Sequence, residues 1–258
     1  MSTWTRRVVL LALAALVVAA FARLSHDASR GGESAPVYST RRFDPHGAAA
    51  LYRLMQRRAP AAETLERPRL RPHHRGTLLQ IVPGSEDATE ENPYRLPDTM
   101  LLEWVVRGNT VVQMSRAPTS LMRELGVKSI EPSDGETMER QAVQRAERRG
   151  EFPERMPGLL VSSRWRDAGD VDAAEASAPA ATRWVTLRAP LVFDAEQPEG
   201  WRTLLQGGGV VAGVIPHGDG RVVFVGAPTP ALNGALDERD NLAFMLEVLG
   251  DGPIIFGS

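Results

Sequence analysis

Cysteine is absent from all 258 residues of the chain. Because the thiolate is the group that forms disulfides, binds soft metals and attacks carbonyl carbons, its absence excludes all three uses. Lysine is nearly absent too, since Lys128 is the only lysine among 30 basic residues. We interpret this preference for arginine as the codon bias of a GC-rich bacterium and not as a sign of particular chemistry.

An excess of positive charge is also missing, because the formal net charge is −2. When Arg6, Arg7 and Arg23 of the N-terminal segment are set aside, 27 basic residues remain against 32 acidic ones, a balance near −5. Proteins that bind nucleic acid show a basic excess on one face. We therefore expect no nucleic-acid partner.

Long apolar runs are missing everywhere except near the N-terminus. That run covers residues 8–22, preceded by Arg6 and Arg7 and followed by Arg23. A spanning helix needs about 20 apolar residues, so the strict run is short. Trp4 at the interface and snorkelling arginines extend it to spanning length. The sequence thus predicts a single transmembrane helix in residues 1–23, which contacts the cytoplasmic membrane through residues 4–23.

Two other interpretations of this segment stay open. Ala20-Phe21-Ala22 has the small-x-small pattern of a signal-peptide cleavage site, so the segment could be removed and the protein secreted. Residues 5–10 loosely resemble a twin-arginine signal. All three interpretations place residues 24–258 outside the cytoplasm, and we favour the uncleaved, single-pass anchor.

The exported part divides into a polar, glycine-rich linker over 24–36 and an α/β domain over 37–258. Continuous apolar runs at 77–83 and 110–115 indicate parallel strands that are covered on both faces. The helix between them, at 96–107, completes a right-handed βαβ unit. Further helices are predicted at 47–58 and at 236–249, the latter with Asp237 as its N-cap.

The C-terminal third predicts an antiparallel hairpin, with strands at 210–215 and 221–225 joined by a turn. Short strands are also predicted at 184–187, 191–193 and 254–256. Two segments lack a strong apolar pattern: a charged, helical insertion at 131–157 and a mobile loop at 167–182. The predicted fold is α/β, with a mostly parallel sheet flanked by helices and the hairpin at its C-terminal end.

Several strings in this frame resemble an uncharacterised bacterial family, domain-of-unknown-function family 4350. They are Tyr38-Ser39-Thr40, the helix opening at 47–54, the segment 101–112, the strand 220–225, Leu232-Asn233 and the helix start at 240–243. The resemblance implies a membrane-anchored relative of the class I glutamine amidotransferase-like, flavodoxin-like fold. The genes of this family often lie near those of MoxR-type ATPases and other membrane proteins, so the resemblance also implies a role in an envelope assembly. Members carry a second membrane helix after the last strand, and this sequence ends at Ser258.

Candidate site residues follow from the strand ends. An amidotransferase of this fold needs a cysteine nucleophile, so the composition excludes that activity. Ser85 follows the strand at 77–83, but no Gly-x-Ser-x-Gly elbow surrounds it. Asp87 belongs to an acidic run whose spacing matches no calcium loop. We predict no catalytic residue, no metal ligand and no cofactor. The possible ligand-binding positions are Ser39, Ser85, Asp87, Asn233 and Asn241.

The histidines are better explained by structural roles than by catalytic ones. His73 and His74 lie in a proline-rich, basic arm over 66–76 that we expect to be extended and exposed, and that could contact anionic headgroups. His217 belongs to the hairpin turn. Three hypotheses for the function follow: a non-enzymatic interaction or scaffold module of an envelope complex, a small-molecule or glycan binding domain, and a hydrolase with a non-standard site.

Overall fold

The computed structural model describes residues 39–41, 43, 47–58, 62–65, 70–71, 74–82, 96–130, 160–165, 183–188, 190–206 and 209–257. The anchor at 1–23, the linker at 24–36, the insertion at 131–157 and the loop at 167–182 lie outside these ranges. Within the ranges, no helix has both the length and the apolar character that a bilayer crossing demands.

Nine strands and four α-helices make up the described part of the chain. The strands are β1 (Glu63–Thr64), β2 (Thr77–Val82), β3 (Thr110–Ser115), β4 (Leu160–Trp165), β5 (Arg183–Arg188), β6 (Arg202–Gln206), β7 (Val210–His217), β8 (Gly220–Val225) and β9 (Ile254–Gly257). The helices are α1 (Ala49–Arg58), α2 (Asp98–Val106), α3 (Ser120–Glu124) and α4 (Asn241–Leu249), with a 3₁₀ helix at Thr229–Ala231.

The strands form one mixed sheet in the order β1-β9-β2-β3-β8-β7-β6-β4-β5. Five strands, from β1 to β8 in this order, pair in parallel. Thr77 of β2 lies beside Thr110 of β3, and each later residue of β2 lies beside its counterpart in β3. The pairings from β8 through β5 are antiparallel. The parallel half holds the βαβ unit, and the antiparallel half extends it.

Helices cover both faces of the sheet, because alternate strand residues point to opposite sides. On one face, α1 and α4 pack through Leu51, Met55 and Phe244 onto a cluster that includes Val112 and Val223. The neighbouring strand residues face the other way, and their cluster receives α2 and α3. Each layer therefore buries a continuous apolar surface against the sheet, which is the main source of stability in such folds.

A buried asparagine ties the amino ends of three strands together. Asn109 follows α2, as the sequence predicted, and its Nδ2 donates to the Trp104 carbonyl at 2.8 Å. Its Oδ1 accepts from the Gly76 amide at 3.0 Å, and its own carbonyl accepts from the Arg221 amide. The end of α2 is thereby fixed to the starts of β2 and β8.

The α/β class, the buried strands at 77–82 and 110–115, and the C-terminal hairpin are confirmed. Gly218 in the hairpin turn adopts a φ of 60°, a conformation that glycine takes without cost. Other predictions are wrong in detail. The segment 191–193 forms only isolated bridges at Phe193, and the strands β1, β4 and β6 were not predicted from the sequence.

Candidate functional site

Ligands of open α/β sheets bind beyond the carboxyl ends of the strands, where successive connections leave on opposite faces. Here β3 leads into α3 on one face, whereas β8 leads into the 3₁₀ helix and α4 on the other. β3 and β8 are hydrogen-bonded neighbours. The switch point of this sheet therefore lies between Ser115, at the end of β3, and Val225, at the end of β8.

On the α3 side, a row of buried polar groups crosses the strand ends. Gln113 Nε2 donates to Gln80 Oε1 at 3.0 Å. Thr119 Oγ1 donates to Gln113 Oε1 at 2.5 Å and accepts from the Met122 amide at 3.2 Å, which caps α3. Gln80, Gln113 and Thr119 are all buried. Because a buried polar group without a partner is costly, this row fixes β2, β3 and α3 relative to each other.

A signal for this polar row is present in the sequence, although none of the sequence-based predictions includes it. Gln80 and Gln113 are each the fourth residue of a strand that begins with threonine. In-register parallel pairing places the two glutamines side by side. A polar residue at the same position of two otherwise apolar strands therefore predicts a buried amide pair.

On the α4 side, two arginines join the switch point to β5. Arg116 follows β3, is buried, and donates from Nε to the Arg188 carbonyl at 3.0 Å. The Arg188 guanidinium forms an ion pair with Glu238. The backbone amide of Arg188 donates to Thr229 Oγ1 at 3.0 Å. The last residue of β5 is thus bonded both to the segment after β3 and to the segment after β8.

Among the described residues, the outer edge of β5 is covered by side chains and not by another strand. The Trp184 amide donates to Asp240 Oδ2 and the Thr186 amide donates to Asn241 Oδ1, both at 2.7 Å. The Asp240 amide in turn donates to the Trp184 carbonyl at 3.0 Å. Unpaired edge groups are a template for aggregation, so these side chains protect the edge.

Asn241 is completely buried and also donates from Nδ2 to the Ala235 carbonyl at 2.7 Å. Its amide therefore ties α4 both to the preceding loop and to β5. The predicted N-cap, Asp237, is wrong: α4 begins at Asn241, and Asp240 precedes it as the N-cap residue. The carboxylate of Asp240 bonds to the Trp184 amide of β5 and does not cap the helix.

Ser39 and Asn233, two of the predicted ligand-binding positions, each bond to the backbone near the start of α1. Asn233 Oδ1 accepts from the Ala50 amide at 2.7 Å, and the Asn233 amide donates to the Gly47 carbonyl at 2.8 Å. The Ser39 carbonyl accepts from the Ala48 amide at 3.1 Å. The amides at the start of a helix have no hydrogen-bond partner within the helix. Ser39 and Asn233 accept hydrogen bonds from such amides and so anchor α1.

Replacing Asn233 with alanine is expected to lower the free energy of unfolding by about 1 kcal/mol, because the Ala50 amide loses its cap. For a chain of this size the melting temperature should fall by roughly 2–4 °C. Thermal unfolding of the full-length chain, followed by circular dichroism in detergent, measures this shift. Asn233→Asp keeps the acceptor and should retain most of the stability; an equal loss in both variants would contradict the capping role.

Ser85 and Asp87 lie outside the described residues, so their proximity to Ser39 and Asn233 stays a prediction. His217 is the last residue of β7 and lies beside Gly220, the first residue of β8, so it is at the opposite end of the strands from the switch point. It borders a shallow groove of about 470 Å³ with residues of α2. In the part of the chain that the structure describes, histidine, aspartate and glutamate form no group of three or more that could hold a metal ion.

The prediction that the histidine arm is exposed is wrong at His74, which is buried. Its Nδ1 accepts from the Arg71 amide at 3.0 Å, its Nε2 lies 3.2 Å from Glu63 Oε1, and its carbonyl accepts from the Trp104 indole. Because Nδ1 accepts a hydrogen bond, the proton of the neutral ring lies on Nε2, toward Glu63. His74 therefore holds the approach to β2 against β1 and α2. His73 lies outside the described residues.

Residues 41–249 match the family model described as "Domain of unknown function (DUF4350)". The match covers nearly the whole described fold, from the turn before α1 to the end of α4. No curated protein sequence matches the chain.

Solved structures with a similar arrangement are remote in sequence. A β-galactosidase from Bacillus circulans sp. alkalophilus is 10% identical, with a TM-score of 0.37 over 67% of this chain and 22% of the galactosidase. A cytoplasmic protein from Salmonella typhimurium LT2 is 12% identical, with a TM-score of 0.39 over 67% of this chain and 70% of that one. The N-terminal domain of mmIFT52 is 13% identical, with a TM-score of 0.39 over 65% of this chain and 73% of that domain. The chain thus spans about a fifth of the galactosidase's length.

Proposed function

This chain belongs to the DUF4350 family, and we propose that it is a non-enzymatic interaction module on the outer side of the cytoplasmic membrane. In this role it serves as a scaffold or sensor subunit of an envelope complex, held by the N-terminal anchor. One observation carries the proposal: polar side chains near the strand ends bond to the backbone of the fold itself.

Catalysis requires a nucleophile, an acid or base and an electrophilic stabiliser that converge on one point where a substrate fits. At this sheet edge the side chains of Asn233 and Asn241 satisfy helix and strand amides. Thr229 and Asp240 do the same for β5. If these side chains turned toward a substrate, the backbone amides would lose their hydrogen-bond partners and the fold would lose stability. We therefore assign the polar side chains near these strand ends a structural role.

The membrane tether is supported by the apolar run at 8–22 and its flanking arginines. The family resemblance adds the proposed partner class, an envelope assembly near a MoxR-type ATPase. In this arrangement the interaction surface lies on the domain and the anchor keeps the domain close to membrane-bound partners, which raises their effective concentration.

The proposal is tested by crosslinking intact cells that produce the full-length chain, then solubilising the membrane and purifying the chain. We expect a defined set of envelope proteins to be captured. A matched control chain joins residues 1–36 to an unrelated globular domain, so that capture by the anchor alone is subtracted. Capture by the control of every protein that the full-length chain captures would contradict an interaction role of the domain.

The same purified chain separates this proposal from a hydrolase. We expect no turnover of esterase, amidase or phosphatase substrates. Turnover that Ser85→Ala, Asp87→Ala or His217→Ala abolishes would establish an enzyme instead. Alkaline phosphatase fused after Ser258 tests the location, because it is active only when the domain is exported.

A second candidate function is a binding domain for a small anionic molecule or glycan. The observation that favours it is the presence of Arg116 and Arg188 beside the switch point, since guanidinium groups bind carboxylates and phosphates well. A ligand that binds the folded state stabilises it by an amount that grows with the logarithm of the ratio of ligand concentration to Kd, and so raises the melting temperature. A thermal screen of anionic metabolites and oligosaccharides, repeated with Arg116→Gln, distinguishes this candidate from the first.

A further inference from the structure

The outward face of α1 and the turn before it carry an exposed set of basic and aromatic side chains. We call this set the α1 basic patch, and it consists of Arg41, Phe43, Arg53 and Arg57. All four residues are exposed, and Phe43 has 58% of its surface in contact with solvent. The Arg53 guanidinium lies 4.4 Å from the centre of the Phe43 ring. The buried side of the same helix is apolar, so Arg53 and Arg57 lie on the solvent face of an amphipathic helix, and Arg41 and Phe43 precede that helix in the chain.

Within the described residues, no carboxylate neutralises the positive charge of the patch. In this part of the chain, the carboxylates pair with Arg58, His74, Lys128 and Arg188. None of these ion pairs includes an arginine of the patch. The chain as a whole has a net charge of −2, so this local positive charge is set against an acidic background. An exposed phenylalanine beside arginines is the composition of surfaces that lie at a membrane interface.

The position of the patch in the chain indicates its occupant. Only residues 24–38 separate Arg23, at the end of the predicted anchor, from Ser39. Fully extended, these residues reach about 50 Å at most, and a relaxed linker spans less. Arg41 is the third described residue after this tether, so the tether enters the domain beside the patch.

We propose that the α1 basic patch docks on anionic headgroups of the membrane that holds the anchor. Arg41, Arg53 and Arg57 pair with lipid phosphates, and Phe43 inserts at the level of the headgroups. This inference rests on the proposed tether. It also orients the domain. α2 and the shallow groove beside His217 lie on the opposite side of the sheet from α1, so they remain available to protein partners.

The absence of cysteine permits a direct test with the full-length chain, because a single introduced cysteine is the only labelling site. Ala50→Cys places a fluorophore on the exposed face of α1, and Glu103→Cys places the same fluorophore on the exposed face of α2 as the matched control. Each labelled chain is reconstituted in vesicles that contain a lipid with a quencher on its headgroup. The vesicles consist of phosphatidylcholine alone or of phosphatidylcholine mixed with phosphatidylglycerol.

We expect quenching at position 50 only in the vesicles with phosphatidylglycerol, and none at position 103. Three arginines near an anionic surface favour the docked orientation by roughly 100-fold, and added salt should reverse the quenching. Arg53→Gln with Arg57→Gln should lower this preference to about fivefold and weaken the quenching accordingly. Arg107→Gln with Arg123→Gln removes the same charge from the other face and should leave it unchanged.

Equal quenching at positions 50 and 103 would overturn the docking, and so would quenching that does not depend on phosphatidylglycerol. Protection of position 50 by an acidic protein partner, with no quenching by lipid, would also overturn it. Flotation of the vesicles tests the tether separately. A chain that floats without quenching at position 50 contradicts the docking alone, whereas a chain that does not float contradicts both the docking and the proposed location.

Discussion

Replacing Gly76 with alanine is expected to lower the free energy of unfolding by about 4 kcal/mol or to prevent folding. Gly76 precedes β2 with a φ of 108°, a conformation that is strained for any residue with a Cβ atom. A Cβ atom there would lie 2.0 Å from the Pro253 carbonyl oxygen. Relief of that contact would break the hydrogen bonds of the Thr77 amide to Pro253 and of the Gly76 amide to Asn109.

Thermal unfolding and the yield of soluble full-length protein measure this effect. Gly252→Ala is the matched control, because it lies next to Pro253 and a Cβ atom at position 252 would contact nothing within 4 Å. We expect the control to change stability by less than about 0.5 kcal/mol, as most surface substitutions do. A Gly76→Ala chain that melts with the wild type would show that the start of β2 can shift without cost.

Replacing Asn241 with alanine is expected to cost about 3 kcal/mol, because two buried backbone groups lose their partners at once. The Thr186 amide loses its acceptor and the Ala235 carbonyl loses its donor. The melting temperature should fall by roughly 6–12 °C. Hydrogen exchange should also show faster exchange of the Thr186 amide, because this edge of β5 has no neighbouring strand among the described residues to cover it.

Two further variants separate the parts of this effect. Asn241→Asp retains an acceptor for the Thr186 amide, but at neutral pH it buries a carboxylate against the Ala235 carbonyl, so its loss of stability should be at least as large as that of Asn241→Ala. Asn233→Ala removes a single, partly exposed cap and should cost about 1 kcal/mol. If Asn241→Ala costs no more than Asn233→Ala, the amide of Asn241 does not hold β5.

The parallel half of the fold could be predicted from the sequence because its signals are local. Continuous apolar runs mark β2 and β3, and their lengths suit strands and not helices. The helix between them and the C-terminal hairpin have turn residues at their ends. By contrast, β4 and β6 mix a few apolar residues with polar ones, and β1 has only two residues, so their own sequences carry little signal.

The candidate site was predicted only in part. Ser39 and Asn233 were proposed as ligand-binding positions, and both bond to the backbone near the start of α1. Their hydrogen-bond partners could not be foreseen, because Asn233 and Ala50 are far apart in sequence. Arg116 and Arg188 were not predicted, since isolated arginines in an arginine-rich chain do not stand out in the sequence.

Composition and local pattern alone determined that this chain has no thiol chemistry, and they predicted the α/β class, the βαβ unit and an N-terminal anchor. They could do so because residue type and short-range periodicity do not depend on distant contacts. The tertiary structure decided what the polar residues at the strand ends do. The side-chain amide of an asparagine can bind a ligand or satisfy a backbone group. Only the arrangement of elements around Asn241 and Asn233 shows that the side chains of these two residues satisfy backbone groups.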